Sequence, residues 1–329
     1  MCMGTSMNND ASREAIDTVT ADETGKVSTA VSAVAAQRLQ DHDLLGFRLN
    51  PGTIGDYIHF IGQAITGNRR ETVFYHNLHS LYSYFTSKRL RECYDRDGII
   101  VLADGMPLIW LMKICQLLKL SERSADREQR VTYVDFIWPM LEAAEKNNWK
   151  VYHVGQEKSV QEKALETIRE RLPGLQIAGH DGYFDQSDNS KDSLQVVDAI
   201  NRHETDLLLV GFGAPKQEYW LDAHRENIDA AAVFTCGACM EYVAGAVKTP
   251  PRWMGKAGLE WLYRLAENPR RFAFRYLVEP ILLGFFLLRN LVLKRTPPAR
   301  IANRMAKYEA KYDTHGTGAG KQAENRAGG

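Results

Sequence analysis

From residue 70 to residue 240 the chain alternates short apolar runs with stretches of helical period. Val73-Phe74-Tyr75 predicts a strand, with a helix beginning near Asn77. The run 98–103 predicts another, ending at Asp104-Gly105 before a helix over 107–118. Val151 to Val154 is closed by Gly155 and followed by a helical pattern from Ser159 to Arg171. Further strands are predicted over 176–178, over 206–210 (closed by Gly211-Phe212-Gly213) and over 230–235 (closed by Gly237). These runs are nearly continuous in apolar residues, as strands buried on both faces are. Strand, glycine, helix and strand in succession make βαβ units. The expected fold is α/β: a Rossmann-like parallel sheet with helices on both faces.

In such a sheet a ligand binds beyond the carboxyl ends of the strands. Glycines at those ends let a phosphate approach backbone N–H groups and helix N-termini, although any one of them serves equally as a tight turn. Five strand ends with the same habit favour a nucleotide-type ligand. Gly211-Phe212-Gly213 has no third glycine three residues on, so it is not a dinucleotide fingerprint, and no P-loop is present.

After residue 250 the pattern changes. Nine basic residues from Arg252 to Arg295 stand against three glutamates, interleaved with Trp253, Trp261, Tyr263, Phe272, Phe274 and Tyr276. After Pro280 comes an apolar run too short and interrupted to cross a bilayer of about 30 Å. Basic and aromatic residues around a short apolar helix suit an anionic membrane surface, or a helical cap packed on the protein itself. The expected organisation is an N-terminal disordered extension over 1–45, a Rossmann-like core over 46–250, a membrane-associating helical appendage over 251–312 and a disordered tail over 313–329.

The formal net charge of zero offers no basic excess for nucleic acid. No apolar signal segment opens the chain, and a cytoplasmic location is expected. The cysteines, at 2, 93, 115, 236 and 239, are odd in number; Cys236 and Cys239 lack a second pair and read as buried reduced thiols.

Among candidate residues, Asp104 leaves an apolar strand beside the expected crevice. It can take a proton from an acceptor hydroxyl, or cap the helix that follows. Asn77 can hold a sugar hydroxyl or phosphate oxygen, or cap its own helix. His76 and His79 lack companion ligands, so no metal site is expected. Lys216, Gln217 and Glu218 open a helix after a strand, where they can grip a sugar, base or phosphate or form a solvated first turn.

These strings resemble the WecG/TagA/CpsF glycosyltransferase family. Ala103-Asp104-Gly105-Met106-Pro107 is similar to its Asp-Gly motif, and Gly179 to Phe184 to its Gly-x-x-Gly-Tyr-Phe, with Tyr183. Val210 to Glu218 is very close to its Val-Gly-x-Gly-x-Pro-Lys-Gln-Glu signature. Gly258-Leu259-Glu260-Trp261, then Asn268-Pro269-Arg270 and Arg275-Tyr276, resemble its C-terminal appendage.

The resemblance implies an inverting transferase that moves a sugar from a UDP-sugar donor to a polyprenyl-diphosphate-linked acceptor. It implies no cofactor and no metal, work in cell-surface or exopolysaccharide synthesis, and a peripheral position on the inner face of the bacterial plasma membrane. A homo-oligomer is left open. Asp104 matches the catalytic base. Asn77, Gly155, Tyr183, Gly211, Gly213, Lys216, Gln217, Glu218 and Gly237 fall in the donor and acceptor region. Arg264, Arg270 and Arg275 match appendage arginines that meet the acceptor's diphosphate, for which a bidentate guanidinium is suited.

The chain departs from the family pattern in three places. Tyr75 replaces a Thr, Glu241 an Asp, and Thr249-Pro250-Pro251 an Arg-Ala-Pro, with Arg252 shifted along. The donor sugar therefore stays open among N-acetylmannosamine, glucose and a uronic acid. Two other classes remain: a Rossmann-like nucleotide-binding oxidoreductase, which would bind NAD(P)H, and a non-enzymatic scaffold, which would tolerate loss of Asp104 and Gln217.

Overall fold

The computed structural model describes residue 39, residues 41–121 and residues 124–293. Cys2, Lys294, Arg295, most of the expected extension and all of the expected tail lie outside the described residues. A small hairpin, β1 (His42–Leu44) and β2 (Phe47–Leu49), starts ahead of the expected boundary at 46. Six strands follow: β3 (Glu71–His76), β4 (Ile99–Ala103), β5 (Val151–Gly155), β6 (Ile177–His180), β7 (Leu207–Gly211) and β8 (Ala232–Thr235). All pair in parallel, in the order β4-β3-β8-β7-β5-β6.

The period of two along each strand sorts the core into two layers. Phe74, Val101, Val154, Leu208, Val210 and Val233 face one layer. Val73, Leu102, Val151, Leu207, Leu209 and Phe234 face the other. The first layer receives α2 (Leu78–Thr86), α3 (Lys88–Tyr94), α4 (Met106–Leu117), α7 (Lys191–Arg202) and α8 (Lys216–His224). The second receives α1 (Ile54–Thr66), α5 (Tyr133–Lys146), α6 (Lys158–Arg171) and α9 (Cys239–Val243). After β3 the chain turns into the first layer through α2; after β8 it turns into the second through α9. A crevice opens between these diverging connections, where parallel sheets take their ligands.

The appendage is helical: α10 (Arg252–Lys256), α11 (Glu260–Glu267), α12 (Pro269–Ala273), a π-helical turn over Phe274–Val278, and α13 (Glu279–Val292). It folds back on the core. Leu283 of α13 is buried in the first layer, Glu279 receives a hydrogen bond from His79 at 2.8 Å, and Asn290 donates to the Leu45 carbonyl at 2.9 Å. The outer side of α13 remains apolar and exposed at Ile281, Phe285 and Leu288. Both readings of this segment therefore have a surface on the same helix, one packed on α2 and one facing outward. Among the described residues no helix is long and apolar enough to cross a membrane.

Candidate active site

The crevice is a cleft of about 480 Å³ at the carboxyl ends of β3, β4, β7 and β8, closed on its far side by the appendage. That volume is within the usual range for small-ligand sites. Asp104, the residue after β4, lines it together with Asn77, Gly213, Gly237, Arg264 and Arg275. Six residues named from sequence, from Asn77 to Arg275, thus meet in one site.

Asp104 is not a helix cap. Gly105 takes the N-cap position of α4, with φ of 97°, and no side chain caps that helix. The carboxyl is left to the cleft. It is half-buried and walled by protein, so its charge is poorly solvated. Burial pushes its pKa up to about 6; the Asn77 hydrogen bond and the Arg264 charge pull the other way, while Glu260 adds to the rise. Asn77 takes the cap role and also reaches Asp104. Its Oδ1 accepts from Ser80 N–H at 3.0 Å to cap α2, and its Nδ2 donates to Asp104 at 3.3 Å.

The other carboxylates facing the cleft are already engaged. Glu260 lies 3.8 Å from Arg130, and Glu279 pairs with His79. Arg264 is held above its ordinary pKa: burial opposes its charge, but Tyr242, Tyr276, Asp104 and Glu260 outweigh it. Its guanidinium carbon stands 5.7 Å over the Tyr242 ring, and its buried Nε has no hydrogen-bond partner. A buried, unsatisfied cationic donor beside a carboxyl of raised pKa is equipped for an anionic ligand that must also lose a proton nearby.

The signature after β7 has a different job from the one its polarity suggests. Gln217 and Glu218 are fully buried beneath the cleft rather than facing it. Gln217 Oε1 accepts from the backbone N–H of Gly213 and of Gly237, each at 3.2 Å, tying the β7 and β8 loops together. Its Nε2 donates to Glu218 at 2.9 Å, which fixes the orientation of the amide. Burial pushes the Glu218 carboxyl up to about 7, against the opposing hydrogen bond from Gln217. Gln217→Ala should strand these N–H groups, at about 1–3 kcal/mol for each buried group left unpaired. The variant should melt several degrees lower; an unchanged melting temperature would remove the brace.

Gly155 and Gly211 also differ from their sequence reading. They pair across β5 and β7, and a Cβ on Gly155 would stand 2.7 Å from the Gly211 carbonyl oxygen. A Cβ on Gly211 would in turn stand 2.7 Å from the Gly237 oxygen. The glycines here let backbone approach backbone, not ligand. Gln156 completes this brace by donating to the Gly211 and Gly237 carbonyls at 3.1 and 2.7 Å. Nothing in the sequence pattern singles out Gln156. Glu260, which also lines the cleft, has its signal in the Gly-Leu-Glu-Trp string.

Other candidates stand apart. Tyr183 is 80% exposed. Lys216 and Arg270 are exposed, and Glu241 is half-buried in the first turn of α9; none of these lines the cleft. Arg252 opens α10, and its side chain lies outside what the structure describes. Cys93, Cys115, Cys236 and Cys239 are buried and unbridged. Among the described residues no group of three or more His, Cys, Asp or Glu is placed to hold a metal ion.

Residues 42–297 match the sequence profile of the Glycosyl transferase WecG/TagA/CpsF family, and the chain belongs to that family. It is similar to an N-acetylglucosaminyldiphosphoundecaprenol N-acetyl-beta-D-mannosaminyltransferase of Bacillus spizizenii, 28% identical over 172 residues, or 52% of this chain and 62% of the relative. A protein of the same name from Staphylococcus aureus is 32% identical over 142 residues, 43% of this chain and 54% of that one. The chain thus matches between half and two thirds of the length of these curated relatives.

Proposed function

We propose that this protein is an inverting glycosyltransferase that moves a sugar from a UDP-sugar to a polyprenyl-diphosphate-linked acceptor at the inner face of a bacterial plasma membrane. The observation that carries the reading is the presence, in one cleft, of the Asp104 carboxyl and the Arg264 guanidinium, whose buried Nε has no partner. Asp104 takes the proton from the acceptor hydroxyl. That oxygen bonds to the anomeric carbon on the face opposite the UDP, and the bond to UDP breaks with its electron pair leaving on the diphosphate. Asn77 orients the base. Arg264 and Arg275 hold the acceptor's diphosphate, and the braced loops at Gly213 and Gly237 receive the donor.

The names of the similar proteins favour N-acetylmannosamine as the sugar and a diphosphoundecaprenol-linked N-acetylglucosamine as the acceptor. Glucose and a uronic acid are the other donors compatible with the departures at Tyr75 and Glu241. The exposed apolar and basic surface of the appendage supports work at an anionic membrane, in assembly of a cell-envelope polymer.

The donor pocket can be tested alone. Gly213 lines the cleft with φ of 82°, and nothing lies within 4 Å of the Cβ it lacks. Gly213→Val would add bulk to the donor side and backbone strain of about 1–3 kcal/mol, which the fold should survive. Calorimetric titration with UDP should show binding to the parent and little or none to the folded variant. Equal affinities would move the nucleotide elsewhere.

A further inference from the structure

We propose that α4 is a second lipid-contacting element, which lays its outward face on an anionic bilayer beside the appendage. Trp110, Ile114, Leu117 and Leu118 fall at i, i+4, i+7 and i+8, and so share one side of the helix. All are exposed: Ile114 is 52% and Leu117 82% accessible. The opposite side, with Leu108, Met112 and Cys115, is buried in the core. The core accounts for that side only. A surface helix normally turns polar residues outward, and a contiguous outward apolar face marks a contact.

Charge and position identify the contact. From Met106 to Ser121 the chain has Lys113 and Lys119 and no carboxylate. Lys113 does reach Asp126 at 3.5 Å, but both are exposed, and such a pair is weak enough to exchange for a lipid phosphate. A second copy of the chain is a poorer fit. A two-fold contact through this stripe would bring the lysines of one copy toward those of the other, while Asp126, the carboxylate beside them, already pairs with Lys113 of its own chain. The Trp110 ring lies over Gly258, where a Cβ would stand 2.6 Å from it, so the stripe begins where the appendage touches α4. Trp253 and Leu262, on the neighbouring appendage helices, are exposed as well. At 1.5 Å per residue, this face runs from about 9 Å along the helix from Asp104, at Trp110, to about 20 Å, at Leu117. Its Trp110 end brings a bilayer nearest the base, as a lipid-linked acceptor requires; to that extent the inference rests on the function proposed above.

The test uses the full chain and vesicles of equal parts phosphatidylcholine and phosphatidylglycerol, without polyprenyl lipid or donor. Its outcome therefore does not depend on transfer. Ile114→Ser with Leu117→Ser should lower vesicle co-sedimentation roughly tenfold. Ile281→Ser with Phe285→Ser, on the outer side of α13, should lower it by a comparable factor. Circular dichroism and solution mass should match the parent. Undiminished co-sedimentation of the α4 variant, or a parent that does not bind these vesicles, overturns the proposal. A variant that changes solution mass while its vesicle binding stays at the parent level assigns the stripe to a second copy instead. Transfer to a short-chain acceptor in detergent should persist in the α4 variant; if the parent shows no transfer there, the functional reading fails and the vesicle result still stands.

Discussion

Asp104→Asn should cut sugar transfer by about a hundredfold or more while UDP affinity hardly changes, as expected when a general base is lost from an intact site. Two pH signatures accompany this loss. The parent's rate should rise with pH through about 6, where Asp104 ionises, and then level off; the variant should lack that limb. Stability should respond in the opposite sense. A carboxyl whose folded pKa is raised from 3.8 to about 6 binds its proton more tightly when folded. Its contribution is fully present below the unfolded value and is lost as pH rises through the folded one. At pH 8 the parent therefore carries an unfavourable charge that asparagine removes. The variant should be more stable there by up to about 3 kcal/mol, and the advantage should shrink toward pH 4. A variant that is slower and also less stable at pH 8 would make Asp104 a structural residue.

Changing Arg264 and Arg275 together to Ala should lower transfer at least a hundredfold even in detergent, since each charge-assisted hydrogen bond to a diphosphate contributes about 1.5–3 kcal/mol. The loss should appear mainly in the acceptor's kcat/KM, with UDP binding retained. A second effect separates this from simple misfolding. Arg264 pulls the Asp104 pKa down, so its removal should move the acidic limb of the pH profile above 6. Parent-like acceptor kinetics in the double variant would place the diphosphate elsewhere.

The parallel sheet was legible because its strands are buried on both faces and read as uninterrupted apolar runs; β7 and β4 were placed to within a residue or so. The hairpin was not, since strands of three residues carry no period. Asp104 and Asn77 could be chosen from sequence because a parallel sheet gathers its strand ends at one edge. Arg264 and Arg275 came only from resemblance. Their place in the cleft depends on the appendage folding back through contacts such as His79 with Glu279 and Asn290 with Leu45, 200 and 245 positions apart. The burial of Gln217 and Glu218 was not legible, because polarity at a helix start suggests exposure, whereas here Gln217 satisfies buried backbone N–H groups. The outer face of α4 was missed for the converse reason: a helix apolar on both sides reads as fully buried.

The most direct measurement is a transfer assay with the full chain. Labelled UDP-N-acetylmannosamine, UDP-glucose and a UDP-uronic acid are each supplied with diphosphoundecaprenol-linked N-acetylglucosamine, and the anomeric configuration of the product is read by NMR. The account predicts a labelled glycolipid from one of these donors, with inverted configuration and one UDP released per sugar moved. No glycolipid from any of the three with a folded, UDP-binding protein, or a product that retains the donor's configuration, would contradict it.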